Sequence, residues 1–261
     1  MLPWQESMVM NPRDTNAWFV PSRARSHPRA RLFCFPYAGG GASLFRSWAD
    51  LLPEDIEVCP VQLPGRENRF GEPCFSQLAP LIEAMGTALW PTFDMPFAFF
   101  GHSMGALIGF ELARWLRRRG GLMPLHLFVS AHRAPQLPYP HAHVHHLPDA
   151  EFMNVVRHLK GVPDTVREHA DLLELMVPQL RADFSIVETY QYVAEDPLAS
   201  PITAFGGLAD AGVSQDDLAA WREQTQSTFT LRMLPGDHFF MSREQVPLLR
   251  AIARDLMRFD R

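Results

Sequence analysis

A serine between two glycines at residues 101–105, GHSMG, constrains the fold more than any other feature of this sequence. The preceding residues, 97–100, read FAFF and belong to an apolar run of the kind found in strands buried on both faces. From Met104 onwards, apolar residues recur at the i, i+3, i+4 spacing of a core-facing helix, and Gly120 and Gly121 end the pattern. A buried strand is therefore predicted to pass directly into a helix at this serine.

Similar strand-like runs recur along the chain, at residues 31–38, 57–64, 97–103, 125–132, 202–210 and 229–238. Strands that alternate with helices are typical of βαβ units, so the sequence predicts an α/β fold with a mostly parallel sheet flanked by helices. Between 141 and about 197, two helical patterns follow one another, which predicts a helical lid insertion over a sheet edge. Residues 1–30 show no clear periodicity and predict an extended lead-in to one domain over 31–261.

The composition argues against several classes of protein. The chain has 261 residues, 47% hydrophobic and 20% charged, with a net charge of −5, whereas nucleic-acid binders usually carry a basic balance. The longest charge-free apolar stretch, residues 95–110, is shorter than the roughly 20 residues that a membrane-spanning helix needs. The N-terminus lacks the basic start and apolar core of a secretory signal. We therefore expect a cytoplasmic monomer with no nucleic-acid or membrane partner.

Neither the cysteines nor the histidine-rich segment indicates a metal or a disulfide framework. Cys34, Cys59 and Cys74 show no CxxC spacing, and the first two lie in strand-like runs, where a small buried hydrophobe is the simplest interpretation. Residues 141–146, HAHVHH, alternate histidines on one side of an extended segment. Such a run is either a metal site or, the interpretation we favour, a solvated loop leading into the lid. We expect no metal and no cofactor.

The glycine-flanked serine matches the G-x-S-x-G nucleophile elbow in the strand–helix context that this motif requires. The turn strains the backbone of Ser103, and side chains at Gly101 and Gly105 would collide with neighbouring chain. It also lifts Oγ clear of the sheet, beside helix N–H groups that can stabilise an oxyanion. Ser103 is therefore predicted to be a nucleophile, with a structural glycine turn as the alternative.

A serine nucleophile needs a base, and in this fold the chain order is serine, acid, histidine. His238 follows the last strand-like run and lies in a predicted loop, so we take it as the base. The other candidates lie within predicted elements, where a structural histidine is the better interpretation: His126, His158 and His169.

The acid is predicted to be Asp210, which ends the strand-like run before the one that leads to His238. Asp216 and Asp217 compete, but they resemble the start of a solvated helix. Asp237 precedes the histidine directly, so its carboxylate would have difficulty reaching the same imidazole.

A second oxyanion donor is expected from the loop after the first core strand. Residues 35–43, FPYAGGGAS, form such a loop, and its glycines let the backbone approach a tetrahedral intermediate. The backbone N–H of Ala38 is predicted to act beside that of Met104, with a plain glycine-rich turn as the alternative. The segment matches neither G-x-G-x-x-G nor a P-loop, so nucleotide binding is not indicated.

Charged residues in the predicted helix after Ser103 allow two interpretations each. Glu111 falls inside the apolar stripe and either pairs with Arg114 or Arg118 or faces a polar pocket. The arginines at the end of this helix complement its dipole and meet solvent, or else dock an acidic partner: Arg114, Arg117, Arg118 and Arg119.

Several stretches together resemble one family, the type II thioesterases of nonribosomal peptide and polyketide assembly lines. They are LFCFPYAGGGASLFRSW, VQLPGRENRFGEP, GHSMGALIGFELAR, SAHRAPQLP, LRADFSIVETYQY and PGDHFFM, and the similarity runs from about Leu32 to the C-terminus. The resemblance implies an α/β-hydrolase fold with a helical lid. Ser103, Asp210 and His238 match the family's triad, and Ala38 and Met104 match its oxyanion positions.

The resemblance also implies a reaction and a partner. The family hydrolyses acyl groups from the phosphopantetheine arm of carrier proteins, and it edits stalled or mis-primed units in trans, so the expected partner is the carrier domain of a separate synthase. A small-molecule carboxylesterase would share the same triad and fold. A non-catalytic binding module on this scaffold would be expected to lack a triad member, whereas all three are present.

Overall fold

The computed structural model describes residues 17–19, 25, 27–158 and 170–257. Within these residues six parallel strands form one sheet in the order β2-β1-β3-β4-β5-β6. The strands are β1 (Ala30–Phe35), β2 (Ile56–Pro60), β3 (Phe97–His102), β4 (Leu127–Ser130), β5 (Ile202–Gly207) and β6 (Phe229–Leu234). The predicted α/β fold is confirmed. Most of the predicted strands extend too far at their carboxyl ends, where the chain leaves the sheet to build loops.

Helices connect the strands and cover both faces of the sheet. They are α1 (Trp48–Leu51), α2 (Leu78–Leu89), α3 (Met104–Gly120), α4 (Asp149–His158), α5 (Ala170–Glu188), α6 (Gln215–Ala219) and α7 (Gln245–Leu256). Short 3-10 turns lie at Ala42–Phe45, Glu67–Arg69, Trp90–Thr92, Ala220–Gln224 and Phe240–Ser242. No helix in the described part of the chain is long and apolar enough to cross a membrane.

The apolar strands fill two cores because successive side chains of a strand point to opposite faces. On β1, Phe33 and Phe35 pack into the core under α2 and α3, whereas Leu32 and Cys34 pack into the core beneath α1 and α7. The same alternation holds on β3. Cys34 and Cys59 are buried as free thiols, as predicted.

The strand order reverses between β1 and β3, since β2 lies outside β1 and the later strands lie on the other side of β3. Ligands of open α/β sheets bind at such a switch point, beyond the carboxyl ends of the strands. The loop after β1 and the turn after β3 meet there. The fold therefore brings the predicted oxyanion loop beside Ser103.

The stretch predicted as a helical lid, 141–197, contains α4 and α5, while residues 159–169 lie outside the described part. The two helices share a small apolar cluster of their own, formed by Phe152, Met153, Val156, Val177 and Leu180. This cluster is separate from the two cores of the sheet.

The predicted lead-in lies largely outside the described residues, which omit 1–16, 20–24 and 26. Phe19 forms an antiparallel bridge with Val61, and Trp18 accepts a backbone hydrogen bond of 3.0 Å from Gln62. Both aromatic side chains are buried against the core. This part of the lead-in therefore packs on the domain.

Candidate active site

The turn between β3 and α3 has the geometry of a nucleophile elbow. Ser103 adopts φ 53° and ψ −119°, a left-handed conformation that is strained for a residue with a side chain. A Cβ on Gly101 would overlap the backbone of Gly105, and one on Gly105 would overlap the carbonyl of Phe35. The Ser103 N–H donates to the carbonyl of Ser130 at 2.7 Å. The two glycines are therefore a steric requirement of this turn.

A continuous hydrogen-bonded chain connects the three residues predicted to form a triad. His238 Nε2 lies 3.0 Å from Ser103 Oγ, and His238 Nδ1 lies 2.8 Å from Asp210 Oδ2. Asp210 lies in the loop after β5 and His238 in the loop after β6, and these strands are neighbours. The carboxyl ends of parallel strands meet at one edge of the sheet, so residues far apart in sequence come together here.

The environment of Asp210 keeps its carboxylate ionised. Burial alone would raise its pKa, but the hydrogen bond and charge of His238 and two backbone donors outweigh burial, so the pKa is lowered. Those donors are the N–H groups of Gly212 at 2.8 Å and Val213 at 3.3 Å, both to Oδ1. An ionised, oriented carboxylate can hold the Nδ1–H tautomer of the imidazole.

Two of the three competing carboxylates are engaged elsewhere, and Asp216 lies in the first turn of α6, as expected of a helix-start residue. Asp217 forms a capping box with Ser214 at the start of α6 and pairs with Arg133 at 2.7 Å, as expected of a helix-start residue. Asp237 Oδ1 accepts the N–H of Phe239 at 3.0 Å. The described contacts thus leave Asp210 as the acid that faces His238.

His102, the residue before the serine, is a part of the site that the sequence reasoning missed. Its Nδ1 lies 2.9 Å from Ser130 Oγ, and its Nε2 lies 2.9 Å from the backbone carbonyl of His238. Burial and the nearby charge of His238 lower its pKa to about 3, so the ring is neutral with one donor and one acceptor. The Nε2–H therefore donates to the carbonyl of His238 and holds that loop. The only sequence signal was its place inside G-x-S-x-G.

The two predicted oxyanion donors flank the serine. Met104 is the first residue of α3, where N–H groups have no partner within the helix. Ala38 lines a cavity together with Ser103 and His238. The next residue, Gly39, has φ +82°, a conformation that favours glycine.

Two side chains from distant segments hold this loop. The Gly39 N–H donates to Asp183 Oδ2 of α5 at 2.7 Å, and Arg66 Nη1 donates to the Gly40 carbonyl at 3.0 Å. Arg66 and Asp183 form a bidentate pair with both bonds at 2.8 Å, and their side chains are 5% and 1% exposed. Arg66 lies in the stretch VQLPGRENRFGEP and Asp183 in LRADFSIVETYQY, and both contact the loop within LFCFPYAGGGASLFRSW. Three of the stretches that resemble the family therefore meet in one buried network. The sequence reasoning gave neither residue a role.

A cavity of about 460 Å³ opens beside Ser103. We call it the site cavity. Its walls come from residues 131–141, from α5 and from the chain that follows α5, and they are mainly apolar: Leu107, Ala134, Pro135, Leu137, Phe184, Val187, Tyr190, Tyr192 and Val213. Such a cavity can accommodate an acyl group whose carbonyl lies at the serine.

Glu111 pairs with Arg114, one of the alternatives drawn from the sequence. Its Oε1 accepts from Arg114 Nη1 at 2.7 Å and from the Tyr190 hydroxyl at 2.8 Å. The remaining arginines of α3 are also paired within the chain. Arg117 and Arg118 contact Glu195, and Arg119 contacts Glu83. The four arginines thus share three carboxylates, which compensate most of their charge, and docking of an acidic partner stays a prediction.

The histidine-rich segment contacts the end of α5. Glu188 is buried and accepts the N–H groups of Val144 and His145 at 3.0 Å, as well as the ring of His145. Donor atoms of His143, His145 and Glu188 lie within 4.8 Å of one another. The backbone bonds account for the burial of Glu188 by anchoring the loop, and the absence of a metal or cofactor stays a prediction.

Comparisons with known proteins identify the family. The model of the thioesterase domain matches residues 30–256. The gramicidin S biosynthesis protein GrsT of Aneurinibacillus migulanus is 46% identical over 241 residues, which cover 92% of this chain and 94% of that protein.

Comparison with solved structures identifies the same family. The RedJ thioesterase from the prodiginine biosynthetic pathway in Streptomyces coelicolor matches with a TM-score of 0.82 at 41% identity and covers 90% of this chain and 95% of that one. The type II thioesterase BorB from the borrelidin biosynthetic cluster gives a TM-score of 0.85 at 33% identity, with 92% and 98% covered. The resemblance drawn from the sequence stretches is confirmed, and so is the α/β-hydrolase fold: the chain belongs to the thioesterase domain family.

Proposed function

We propose that this thioesterase acts in trans on acyl groups carried by the phosphopantetheine arm of carrier proteins, and removes stalled or mis-primed units from a polyketide or nonribosomal peptide synthase. The hydrogen-bonded chain from Asp210 through His238 to Ser103, at the mouth of the apolar site cavity, carries this proposal. It fits hydrolysis of an acyl group without any cofactor. Support for a carrier-borne substrate comes from relatives that belong to such biosynthetic pathways.

Acylation begins when His238 Nε2 takes the proton of Ser103 as Oγ attacks the thioester carbonyl. The carbonyl oxygen becomes an oxyanion, which the N–H groups of Ala38 and Met104 stabilise, each by about 3 kcal/mol. Asp210 stabilises the imidazolium and keeps its orientation. The C–S bond then breaks, the thiol leaves with the proton from His238, and the acyl group stays on Ser103.

Deacylation repeats the sequence with water. His238 Nε2 takes a proton from a water molecule, whose oxygen attacks the acyl-serine carbonyl. The same two N–H groups bind the second oxyanion. When the ester bond breaks, Ser103 Oγ recovers its proton from the imidazolium, and the carboxylic acid leaves.

The test is hydrolysis of an acyl-phosphopantetheinyl carrier protein against the matching oxygen ester. We expect the carrier thioester to be cleaved, the ester to be cleaved slowly, and Ser103→Ala to lower kcat by about 10⁴-fold or more. Ser47→Ala, at an exposed serine that does not line the site cavity, is the matched control and should keep wild-type turnover.

Other outcomes would assign a different function. Fast cleavage of the ester with the carrier ignored would identify a small-molecule carboxylesterase. No turnover of either substrate by wild type would identify a non-catalytic module on this scaffold.

A further inference from the structure

One tyrosine in the chain that follows α5 lines both the site cavity and a second depression. The second depression, here called the outer groove, has a volume of about 810 Å³ and lies between α2, α3 and residues 186–195. Tyr190 lines both the site cavity and the outer groove, and it is the one described residue that the two linings share. Tyr190 is therefore the described residue at which the two depressions come together.

Tyr190 is held in this position by a buried ion pair. Its hydroxyl donates to Glu111 Oε1 at 2.8 Å, and the same carboxylate accepts from Arg114 at 2.7 Å. Burial and the neighbouring charge of Glu111 raise the pKa of Tyr190, so the phenol stays a donor. A phenol bonded to a carboxylate that is itself only 13% exposed has one preferred position.

The chemistry of the walls changes at the tyrosine ring. The lining of the site cavity is mainly apolar, with Leu107, Phe184 and Val187, and Arg133 is the one arginine or lysine among its described residues. The outer groove carries charged side chains among its walls: Glu83, Glu111, Arg114, Arg118, Arg119 and Glu195. The free energy of an alkyl chain falls when it enters the site cavity, because its apolar surface leaves water. In the outer groove the same chain would meet ion pairs and solvent.

We infer that Tyr190 closes the far end of the acyl-binding cavity and sets the upper length of the acyl chain, so that short and medium acyl groups are the substrates. The inference rests on the proposed function, since it places the acyl group of the acyl-serine in the site cavity. Removing the ring joins the cavity to the outer groove. A longer chain then extends past position 190 with its end near solvent.

The decisive experiment compares Tyr190→Ala with Tyr192→Ala. Tyr192 lines the site cavity but not the outer groove, and its hydroxyl donates to Gln224 at 3.1 Å. The substrates are N-acetylcysteamine thioesters with straight acyl chains from four to sixteen carbons, and kcat/KM is measured for each. We expect the ratio of kcat/KM for the longest to the shortest chains to rise at least tenfold in Tyr190→Ala.

The two controls separate a partition from a wider cavity. Tyr192→Ala widens the cavity but leaves the partition, so its ratio should stay within about threefold of wild type. Tyr190→Phe keeps the ring and should keep the wild-type length profile. Equal shifts in Tyr190→Ala and Tyr192→Ala, or no shift in an active Tyr190→Ala, would overturn the inference.

A second measurement is independent of the carrier and of thioester chemistry. Fluorophosphonates with alkyl chains of increasing length should inactivate wild type ever more slowly beyond the length limit, and Tyr190→Leu, which keeps an apolar side chain, should relax that limit. A profile that does not depend on chain length overturns the inference even if carriers are cleaved. A length-limited profile supports it even if carriers are ignored and the proposed function fails.

Discussion

The two proposed oxyanion donors, Met104 and Ala38, flank one serine but are held in position in different ways. The elbow that presents Met104 is local: its glycines, its strained serine and its helix follow one another along the chain. The loop that presents Ala38 depends on side chains from elsewhere, with Asp183 144 residues from Gly39 and Arg66 26 residues from Gly40. One half of the site is a property of a short motif, and the other half is a property of the fold.

The difference explains a role for α5 beyond covering the cavity. Asp183 donates no proton to the reaction in the proposed mechanism, yet its carboxylate accepts the Gly39 N–H next to Ala38. Leu180, one turn earlier on α5, is so close to Gly39 that a Cβ there would meet its side chain. Helix α5 and the loop after β1 therefore pack directly against each other, and we expect a substitution in one to change the position of the other.

The largest expected effect is steric and falls on the elbow. Gly105→Ala places a methyl group against the carbonyl of Phe35, so β1 and α3 must separate. We expect it to lower the free energy of unfolding by about 3 kcal/mol and to abolish turnover, because overpacking against backbone cannot relax. Urea unfolding measures the change.

Gly109→Ala, one turn later on α3, is the matched control. A Cβ there meets only side chains at 3.4–3.5 Å, so the variant should be as stable as wild type or gain up to about 1 kcal/mol from helix propensity. If Gly105→Ala and Gly109→Ala lowered the free energy of unfolding equally, the steric explanation for the glycine at position 105 would be wrong.

The second prediction concerns the loop that contains Ala38 and Gly39. Asp183→Ala removes the acceptor of the Gly39 N–H and leaves the Arg66 guanidinium buried without its partner. We expect kcat to fall about 100-fold with KM nearly unchanged, since the oxyanion forms only in the transition state. Asp183→Asn keeps an acceptor and should recover part of kcat.

A buried ion pair far from Ser103 provides the control that shows whether lost stability alone explains a fall of kcat in Asp183→Ala. Arg31 and Glu57 pair at 2.8 Å near the starts of β1 and β2, with side chains 2% and 8% exposed. Glu57→Gln should destabilise the fold and leave kcat near wild type at a temperature where the protein stays folded. A similar fall of kcat in both variants would contradict a positioning role for Asp183.

The last prediction is a response to acid that is spread over two pH units, and it concerns three histidines that the fold keeps neutral. Burial lowers the pKa of His102 to about 3 and the pKa values of His126 and His132 to about 4. Between pH 6.5 and 4.5 the unfolded chain takes up protons that the folded chain does not, so the stability present above pH 6.5 is lost as the pH falls. Each histidine contributes a slope of about 1.4 kcal/mol per pH unit.

Unfolding free energies from pH 7.5 to 4.5 measure this slope. His126→Gln removes one of the three titrations and should make the dependence about one third less steep. A flat profile in wild type would show that these three rings are not held neutral by burial.

The strands and the three candidate triad residues could be predicted because each has a signal in the sequence around it. Apolar runs identified all six strands of the sheet, but they overestimated most of the carboxyl ends, where apolar residues continue into loops that build the site. Ser103, Asp210 and His238 followed from a motif, a chain order and loop positions. The role of His102 could not be predicted, because the residues next to it in sequence do not show that its ring contacts the backbone carbonyl of His238.

The sequence alone determined the order of strands and helices and the elbow, since periodicity and the steric demands of glycine act over a few residues. Tertiary structure alone decided the rest. Asp183 and Arg66 meet because β1 and β3 form the switch point and α5 lies across it. The proposed role of Tyr190 as a partition arises because the fold makes it line two depressions at once. Charges and rings acquire these roles from neighbours that lie far away along the chain, and spacing in a sequence does not encode such neighbours.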